Sequence, residues 1–598
     1  MGWSRRVLCG SLLLSMAAVV AALGVGSAAS ADSLPLAGDT VTVASLALGG
    51  EHTCALFSNG VVKCWGHAGT LGLGDSLSRG DQPDEMGRQL ASVDLGTGRV
   101  ATAISAGSNF TCALLDDGGV KCWGGNDDGQ LGQGDDSPRG GARDQLGDHL
   151  PEIDLGTGRT AVAITAGGLH ACALLDDSSV KCWGFGGALG LGLFLDYDNR
   201  GDDPGEMGDA LPAVDLGTGR TVVKVATGPD HTCAILDDSS LKCWGANYLG
   251  QLGLGDNHDR GMHPGEMGDA LPAVDLGTGR SPVDITVGSG TTCARLDDAS
   301  LKCWGDGRNG RLGRSVYGVG DDHGEMGDQL PPMPFGAGRT TPSVSIGGGD
   351  ACAVFDDGTT KCWGLNDYGQ LGQGDIASRA DIPGVAPIDL GTGRVATSIT
   401  AGPDHTCAIL DDGSVKCWGR NIDGDLGLGD THTRGDGPGE MGDDLPALDL
   451  VPDQHVRRPD LAIKRDGGPW LGDDQYESTL NQVVTVRRER LGSVTFFVRV
   501  QNDSDHRARL TVLQMGPSDS HLARRYFAGR SARDISIAVL TGHYVTSPLE
   551  PGESTTIRIE ARVDRHARHD HVYGIPLRVR VLGSDLPVDT VQAEVKVH

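Results

Sequence analysis

The stretch Phe110-Thr-Cys-Ala-Leu-Leu-Asp-Asp-Gly-Gly-Val-Lys-Cys-Trp-Gly124 decides the fold of this chain. Its two halves alternate in the manner of β-strands, and the Asp-Asp-Gly between them suits a three-residue hairpin loop. In such a hairpin Cys112 lies directly opposite Cys122. Facing residues on paired strands have Cβ atoms about 4.5–5.5 Å apart, which is nearly within disulfide reach. The stretch therefore predicts a hairpin that is closed by its own disulfide.

This hairpin occurs seven times, always with nine residues between the cysteines and with Trp-Gly after the second one. The first cysteines are 55 to 61 residues apart, a repeat length that is typical of propellers and solenoids. A zinc site would need more ligands than the two thiols that each unit offers, so we expect structural disulfides. The predicted pairs are Cys54 with Cys64, Cys112 with Cys122, Cys172 with Cys182, Cys233 with Cys243, Cys293 with Cys303, Cys352 with Cys362, and Cys407 with Cys417.

The cysteine count and the N-terminus both indicate export. Of the 15 cysteines, only Cys9 lies outside the seven pairs, and such a framework is typical of an oxidising compartment. Arg5 and Arg6 precede an apolar run over residues 7–25, and Ala-Ser-Ala at residues 29–31 is a cleavage signal. We therefore expect a signal peptide over residues 1–31, no membrane insertion after its removal, and a secreted or surface-associated protein.

The net charge of −30 is unevenly distributed. Residues 455–598 carry 21 Lys and Arg against 18 Asp and Glu, which leaves 29 against 62 for the rest of the chain. An acidic region of this size lacks the basic surface that nucleic acid requires. We expect no nucleic-acid partner and a bias towards basic partners.

Each repeat predicts about four strands. A first strand is followed by a Gly pair, the Cys hairpin, Trp-Gly, two loops, a further strand such as Ala273–Leu276, and a Gly-Thr-Gly-Arg turn. Seven such units over residues 32–450 favour a seven-bladed β-propeller, which leaves only short, protected strand edges. Because the last unit has no following strand, we expect the N-terminal strand Thr42–Leu48 to close the ring.

The repeats stop near residue 450. Residues 451–459 predict a linker, and about eight short strands over residues 460–598 fit an immunoglobulin-like β-sandwich. The predicted fold class is thus all-β, a seven-bladed propeller followed by a sandwich.

The repeats and the C-terminal region each resemble a known family. The units Ala-Gly-x-x-His-Thr-Cys-Ala, Leu-Asp-Asp-Gly-x-Val-Lys-Cys-Trp-Gly and Asn-x-x-Gly-Gln-Leu-Gly-x-Gly closely resemble the regulator of chromosome condensation repeat, as at residues 366–374. This resemblance implies a seven-bladed β-propeller. The opening Trp470-Leu-Gly-Asp-Asp-Gln-Tyr476 looks like that of bacterial extracellular immunoglobulin-like domains.

The propeller family has members with several functions, and the fold alone does not choose among them. Nucleotide exchange on a small GTPase and docking on nucleosomes are intracellular roles that do not suit an exported, acidic domain. Light sensing relies on a Gly-Trp-Arg-His-Thr cluster that is replaced here by Cys-Trp-Gly. A secreted bacterial member that inhibits β-lactamases through loops on one face is similar in compartment.

Repeated polar residues are interpreted as structural. Four units carry a histidine two residues before the first cysteine (His52, His170, His231, His405), which we expect to hydrogen-bond between strands. Asp-Asp pairs in the hairpins suit turn chemistry, although Ser178, Ser239 and Ala299 replace the turn glycine and predict left-handed strain there. Residues 126–129 and 421–425 faintly resemble calcium loops without the closing glutamate. We expect no metal, no cofactor and no catalytic residue.

The variable loops are the predicted partner surface, because aromatic and Arg residues are typical interface anchors. We predict a monomeric, exported, non-enzymatic binding scaffold for an extracellular protein or glycan. The alternatives are a secreted enzyme inhibitor, and a hydrolase or lyase that uses the central funnel. The predicted binding residues are Phe194, Tyr197 and Arg200 in the third unit and Arg308, Arg311, Arg314 and Tyr317 in the fifth.

Overall fold

The structure is a computed structural model that describes residues 41–450, except 194–197, 337–338 and 342, and mainly the strands between residues 459 and 597. The predicted signal peptide and residues 451–458 of the predicted linker lie outside the described residues. The described chain is all-β, with only single-turn 3₁₀ helices in its first 450 residues. None of the described helices is long and apolar enough to cross a bilayer.

Seven antiparallel sheets follow one another along the chain, and we number them 1 to 7. Each contains three strands in chain order, and sheet 5 has a short fourth strand, Gly318–Val319. The first strands are Val43–Leu48, Ala101–Ala106, Ala161–Ala166, Val222–Thr227, Pro282–Gly288, Ser343–Ile346 and Ala396–Ala401. The second strands are His52–Phe57, Phe110–Leu115, His170–Leu175, His231–Leu236, Thr291–Leu296, Asp350–Val354 and His405–Leu410. The third strands are Val62–Gly66, Val120–Gly124, Val180–Gly184, Leu241–Gly245, Leu301–Asp306, Thr360–Gly364 and Val415–Gly419.

The register of each hairpin is the one that the cysteines require. In sheet 2, Leu114 pairs with Val120 and Cys112 pairs with Cys122. The same pairing brings the two Cα atoms of every cysteine pair to 4.1 Å, and all seven pairs are disulfide-bonded. The cysteines are buried between neighbouring sheets, so the disulfides belong to the core. From sheet 1 to sheet 7, the bonds join Cys54 to Cys64, Cys112 to Cys122, Cys172 to Cys182, Cys233 to Cys243, Cys293 to Cys303, Cys352 to Cys362, and Cys407 to Cys417.

The hairpin loop closes through a left-handed residue. Gly118 has φ 84°, and the Leu115 N–H donates to the Gly119 carbonyl. Ser178, Ser239 and Ala299 occupy the same position with φ 65° each, so the predicted strain at these three residues is present. A side chain in this region costs roughly 1–2 kcal/mol relative to glycine, before the greater freedom of glycine in the unfolded chain is deducted.

Relief of this strain gives a testable prediction. We expect Ser239→Gly to raise the free energy of unfolding by about 1 kcal/mol, because the exposed turn keeps its φ and loses the Cβ clash. The measurement is chemical denaturation followed by tryptophan emission. The matched control is Gly413→Ser at the same position of sheet 7, where φ is 80° and the nearest atom to a new Cβ is 3.7 Å away. It should destabilise by a similar amount, and equal stability of all three proteins would contradict the interpretation.

The predicted fourth strand is wrong for residues 273–276, which have no regular strand structure. Only the Val274 N–H joins the sheet, by donating to the Leu241 carbonyl at 2.8 Å. Val274 and Leu276 are nevertheless buried, so the alternating pattern reflects burial and not strand pairing. The 3₁₀ helices are Arg143–Gln145, Gly147–His149, Gly186–Ala188, Gly208–Ala210, Gly268–Ala270, Arg308–Gly310, Gly327–Gln329, Ile382–Gly384 and Gly442–Asp444.

The ring closes without strand exchange, contrary to the expectation for the N-terminal strand. Val43–Leu48 pairs with His52–Phe57 of its own sheet. Sheets 1 and 7 are joined by hydrogen bonds, because Trp65 Nε1 and Thr53 Oγ1 both donate to the Asp425 carbonyl at 3.0 Å. Side chains of both sheets, including Trp65 and Ile409, share one apolar cluster.

Six of the seven repeat tryptophans join neighbouring sheets in the same way, the exception being Trp123. Trp183 Nε1 donates to the carbonyl of Gln130 at 3.0 Å, and Trp418 Nε1 donates to that of Gln370 at 2.9 Å. In both of these bonds the acceptor lies in the Asn-x-x-Gly-Gln loop of the preceding unit. All seven tryptophans of the repeats are fully buried, so this loop caps the core of the next sheet.

The predicted histidine hydrogen bonds run between neighbouring sheets. His231 Nε2 lies 2.8 Å from Thr292 Oγ1, and the junctions of the other three histidines contain the same pair. Where the histidine is replaced by Phe110 or Thr291, the threonine of the next sheet is replaced by Ala171 or Ala351. The two sides are therefore matched at six of the seven junctions, the exception being Asp350, which is followed by Thr406 in the next sheet. The histidine pairs are His52 with Thr111, His170 with Thr232, His231 with Thr292, and His405 with Thr53.

The C-terminal region contains two further sheets. The first has the order Pro459–Arg465, Ser493–Asn502, Ser554–Val563 and Leu522–Ala528, all antiparallel. The second has the order Val483–Arg488, Asp589–Val597, Val572–Val581, Leu510–Gln514 and Tyr544–Val545, and its first two strands are parallel. The sequence pattern missed Leu522–Ala528 and Tyr544–Val545. The immunoglobulin-like assignment and the domain boundaries remain predictions.

Candidate binding face

Each sheet has a turn end and a loop end. The turn end carries the Asp-Asp hairpin turns. The loop end carries the loops between the first and second strands and the Asn-x-x-Gly loops that follow the third strands. These two kinds of loop are bonded to each other, as where the Ala246 N–H donates to the Asp230 carbonyl at 2.9 Å. Because the units are equivalent, the loop ends form one face of the ring.

The turn end is a repeated network of ion pairs. The arginine of each Gly-Thr-Gly-Arg turn binds the Asp pair of the following hairpin, as where Arg220 Nη1 lies 3.0 Å from Asp238 Oδ2. Hydrogen bonds from Ser240, together with Arg220, hold the pKa of Asp238 below its ordinary value. Further pairs of this kind join Arg159, Arg280 and Arg394 to their hairpins. The Asp pairs thus have the turn role expected for them.

The central channel opens between the first strands. Its volume is about 120 Å³, and every unit contributes to the lining with residues at the end of its first strand, such as Ala106, Gly107 and Ser108. The described lining consists of Gly, Ala, Ser, Thr, Pro, Leu, Val and Ile, so it includes no acidic, basic or histidine side chain. An acid–base pair, which hydrolysis or elimination in the funnel would need, is not among these residues.

The loop end of units 4 and 5 differs from the repeat pattern. Tyr248 and Tyr317 are 55% and 71% exposed, and the Arg308 side chain is 48% exposed. Arg308 Nε and Nη2 each donate to Asp306 at 2.9 Å, and this contact raises the pKa of Arg308. The neighbouring Tyr317 and Tyr248 add to this upward shift of the Arg308 pKa. We call Tyr248, Arg308 and Tyr317 the tyrosine–arginine cluster.

Several acidic side chains lie at the loop end. Glu51, Asp230 and Asp404 occupy equivalent positions directly before the junction histidines. Burial raises the pKa of Asp230, which a hydrogen bond from the Tyr248 hydroxyl opposes. Burial also raises the pKa of Asp404, and the neighbouring Asp367 and Glu51 add to this shift. The loop end is therefore a face on which carboxylates crowd one another.

The structure places the predicted binding residues of the fifth unit in different environments. Arg311 is 15% exposed and binds Asp306 Oδ2 at 2.8 Å and the Ser289 carbonyl at 3.0 Å. Its own carbonyl accepts the Trp363 Nε1–H at 2.9 Å, so Arg311 has the structural position of the glutamine in other units. Arg314 is half-buried against the Pro331 carbonyl, and burial lowers its pKa. Arg308 and Tyr317 remain accessible.

In the third unit, Phe194 and Tyr197 lie outside the described residues. Arg200 pairs with Asp198 at 2.9 Å and Glu206 at 3.3 Å, and its backbone bridges Gly184. Five other units have an arginine in the same bridge. Arg200 therefore has a repeated structural role.

Comparison with known proteins identifies the family of the repeats. The RCC1-like domain model matches residues 19–383, and a regulator of chromosome condensation (RCC1) repeat matches residues 396–425. The chain belongs to the RCC1-like domain family. The Ultraviolet-B receptor UVR8 of Arabidopsis thaliana is 28% identical over 414 residues, which cover 67% of this chain and 83% of the receptor. Human E3 ubiquitin-protein ligase HERC2 is 30% identical over 278 residues, 45% of this chain but 5% of the ligase.

Two solved structures are also similar to this chain. Prp20p from Saccharomyces cerevisiae, described with its binding to Gsp1p and histones, has 20% identity and a TM-score of 0.46, and the match covers 60% of this chain and 80% of Prp20p. Human WBSCR16 has 18% identity and a TM-score of 0.44, with coverage of 62% and 87%.

Sequence reasoning missed three exposed side chains of this RCC1-like domain. Tyr248, Tyr368 and Ile422 occupy the variable positions of the Asn-x-x-Gly loops in units 4, 6 and 7. The flanking residues of each loop are fixed by structure, as Asn247 Oδ1 accepts the Leu252 N–H and Gln251 Oε1 accepts the Leu249 N–H. Comparison of the variable positions alone would have found them.

The loop end of the RCC1-like domain also holds a group of potential metal ligands. Glu51, His67 and Asp423 offer ligand atoms that lie within 4.8 Å of one another, at the junction of units 7 and 1. Asp425, two residues beyond Asp423, is buried, and burial raises its pKa to about 6 against the opposing effect of Arg420. Asp423 and Asp425 belong to residues 421–425, one of the two segments that resemble calcium loops in sequence.

Proposed function

We propose that this protein is an exported, non-enzymatic binding protein whose loop end holds a protein partner with a basic surface. The observation that carries the proposal is the tyrosine–arginine cluster. It is accessible, it is not repeated among the described residues of the other units, and it lies on the face where the variable loop positions meet. Tyrosine and arginine are the residues most enriched at the energetic centres of protein interfaces.

Arg308 is well suited to such a role because Asp306 holds it in place. The guanidinium is fixed by two hydrogen bonds to a carboxylate that is buried, while nearly half of the side chain stays exposed. An ordered side chain loses less conformational freedom when a partner binds. Tyr248 and Tyr317 add large apolar surfaces with few rotatable bonds.

The acidic charge of the repeats supports a partner with a basic surface. The chain outside residues 455–598 has an excess of 33 acidic residues, and Glu51, Asp230, Asp367 and Asp404 contribute to it at the loop end. A surface of one sign steers partners of the opposite sign and loses this effect as salt increases. Its relatives include proteins described as a receptor and as a nucleotide exchange factor, and these roles are not transferred to this chain.

Substitution of the two tyrosines tests the proposal. The oxidised chain serves as bait in culture medium, and the dissociation constant of the captured partner is then measured for each variant. We expect Tyr248→Ala/Tyr317→Ala to weaken binding by tenfold or more, because truncation of an interface anchor costs on the order of 2 kcal/mol. Binding should also weaken as the salt concentration rises.

The matched control is Val223→Ala/Val283→Ala, which truncates two exposed side chains at the turn end. This variant should bind like the wild type. Equal loss in both variants, or loss only in the control, would overturn the assignment of the face. Capture that is insensitive to all four substitutions would point to the C-terminal sheets.

A secreted enzyme inhibitor is the second candidate, since Tyr248 and Tyr317 supply exposed aromatic surface near Arg308. It would be favoured if the captured partner were an enzyme whose turnover falls in proportion to the bound fraction. A partner whose activity is unchanged by saturating protein would exclude this candidate and leave the binding function intact.

A further inference from the structure

Among the residues that the structure describes, the junction between units 7 and 1 carries a group of ligand types that the other junctions lack. Glu51 and His67 come from the loops of unit 1, and Asp423 comes from the Asn-x-x-Gly loop of unit 7. The position of His67 after Trp-Gly holds a different residue type in every other unit. Those residues are Gly125, Phe185, Ala246, Asp306, Leu365 and Arg420.

The two carboxylates share the same arrangement around His67 and Arg420. Glu51 Oε1 accepts from Arg420 Nη2 at 3.1 Å, and Glu51 Oε2 lies 3.9 Å from His67 Nδ1. Asp423 Oδ2 lies 3.9 Å from Arg420 Nη2, and Asp423 Oδ1 lies 3.4 Å from His67 Nδ1. Each carboxylate thus directs one oxygen towards the guanidinium and leaves the other one towards the imidazole nitrogen.

These separations match those of ligands on one metal ion. Two ligand atoms about 2.1 Å from a tetrahedral Zn²⁺ lie roughly 3.4 Å apart. The separations of 3.4 and 3.9 Å around His67 Nδ1 are close to this value. A cation between the three atoms would need only small side-chain movements.

Two orphaned polar groups point independently to a missing partner. His67 Nδ1 is buried and has no hydrogen-bond partner, although part of the ring is exposed. Asp425 is 1% exposed, and neither of its oxygens has a partner in hydrogen-bonding geometry. Asp425 Oδ1 lies 3.2 Å from the position that a Cβ on Gly66 would take, directly before His67. A buried carboxylate without a partner is costly unless positive charge compensates it.

We propose that Glu51, His67 and Asp423 bind a divalent cation of the zinc type, which joins the first and last units of the ring. Imidazole nitrogen with two carboxylates suits Zn²⁺ and related transition metals, whereas Ca²⁺ takes oxygen ligands. Glu51, Asp423 and Asp425 with Arg420 carry a formal charge of −2, which one such cation neutralises. A ligand that binds the folded chain alone also stabilises it.

Calorimetric titration of the full, metal-stripped chain with ZnCl₂ tests this proposal. We expect one site, a rise in the unfolding temperature on saturation, and at least tenfold weaker binding in both His67→Ala and Asp423→Asn. The matched control is His258→Ala, since exposed His258 also lies beside a carboxylate, Asp256 at 3.6 Å, but has no third ligand there. This control should bind Zn²⁺ like the wild type.

Three results would overturn the proposal. The first is the absence of Zn²⁺ binding by a folded wild-type chain, which would leave His67 with ion pairs only. The second is binding that His67→Ala and Asp423→Asn do not weaken although both variants retain the wild-type tryptophan emission. The third is Ca²⁺ binding that is tighter than Zn²⁺ binding and unaffected by His67→Ala, which would assign an all-oxygen site.

Discussion

Refolding in the presence of a reductant is expected to fail. Each disulfide closes a loop of about ten residues and contributes on the order of 2–3 kcal/mol in the loop-entropy account. Seven such contributions are comparable with the whole stability of a typical domain, about 5–15 kcal/mol. The measurement is tryptophan emission after dilution from denaturant, because the seven repeat tryptophans are fully buried when the sheets are packed.

The same chain refolded without reductant provides the control. It should recover the emission of buried tryptophan, whereas the reduced chain should retain that of exposed tryptophan. A double variant, Cys112→Ser/Cys122→Ser, should lower the free energy of unfolding by about 2–3 kcal/mol in oxidising buffer. Full recovery under reducing conditions would show that the seven bonds are dispensable for folding.

Acid is expected to destabilise the ring through its junction histidines. Burial lowers the pKa of His52 and His170 to about 4 and that of His231 and His405 to about 3. Below the ordinary pKa of 6.5, these histidines bind protons in the unfolded chain but not in the folded chain. The contribution of these neutral histidines to the free energy of unfolding is therefore fully present above pH 6.5. It is lost as the pH drops from 6.5 towards 4, by a few kcal/mol for each histidine.

The structure supplies a matched variant for this prediction. His231→Phe/Thr292→Ala reproduces the junction of Phe110 with Ala171, which lacks a titrating ring. We expect this double variant to lose less unfolding free energy between pH 7 and pH 4.5 than the wild type, as measured by denaturant midpoints at both pH values. His231→Phe alone removes the imidazole but keeps Thr292, whose hydroxyl still donates to the Gln251 carbonyl at 2.9 Å, and it controls for packing. Parallel pH profiles of the wild type and the double variant would contradict the prediction.

The hairpins were predictable because their determinants are local. A turn of three residues fixes which residues face each other, so the register of Cys112 and Cys122 follows from counting along the chain. The left-handed positions of Ser178, Ser239 and Ala299 follow from alignment with the turn glycines. Sequence reasoning succeeds here because each feature depends on residues only a few positions apart.

The ring closure and the binding face were less predictable because they depend on contacts between distant units. The alternation at residues 273–276 is the same for a strand and for an irregular segment with buried valine and leucine. Arg311 looks like an interface residue until Asp306 and Ser289 are seen to bind it. Tyr248 escaped notice because it lies inside an otherwise regular motif.

The matched junctions also restrict how such a chain can change. The sheets are nearly identical in backbone, and a unit could be moved to another place without altering its own fold. It would then pack against a sheet that does not match it. The unit with Ala171, placed after the unit with His231, would leave the Nε2 atom of His231 buried and unpaired. The residues at the junctions thus favour one order of the repeats, and a duplicated unit is expected to be most stable where both of its new junctions carry matching residues.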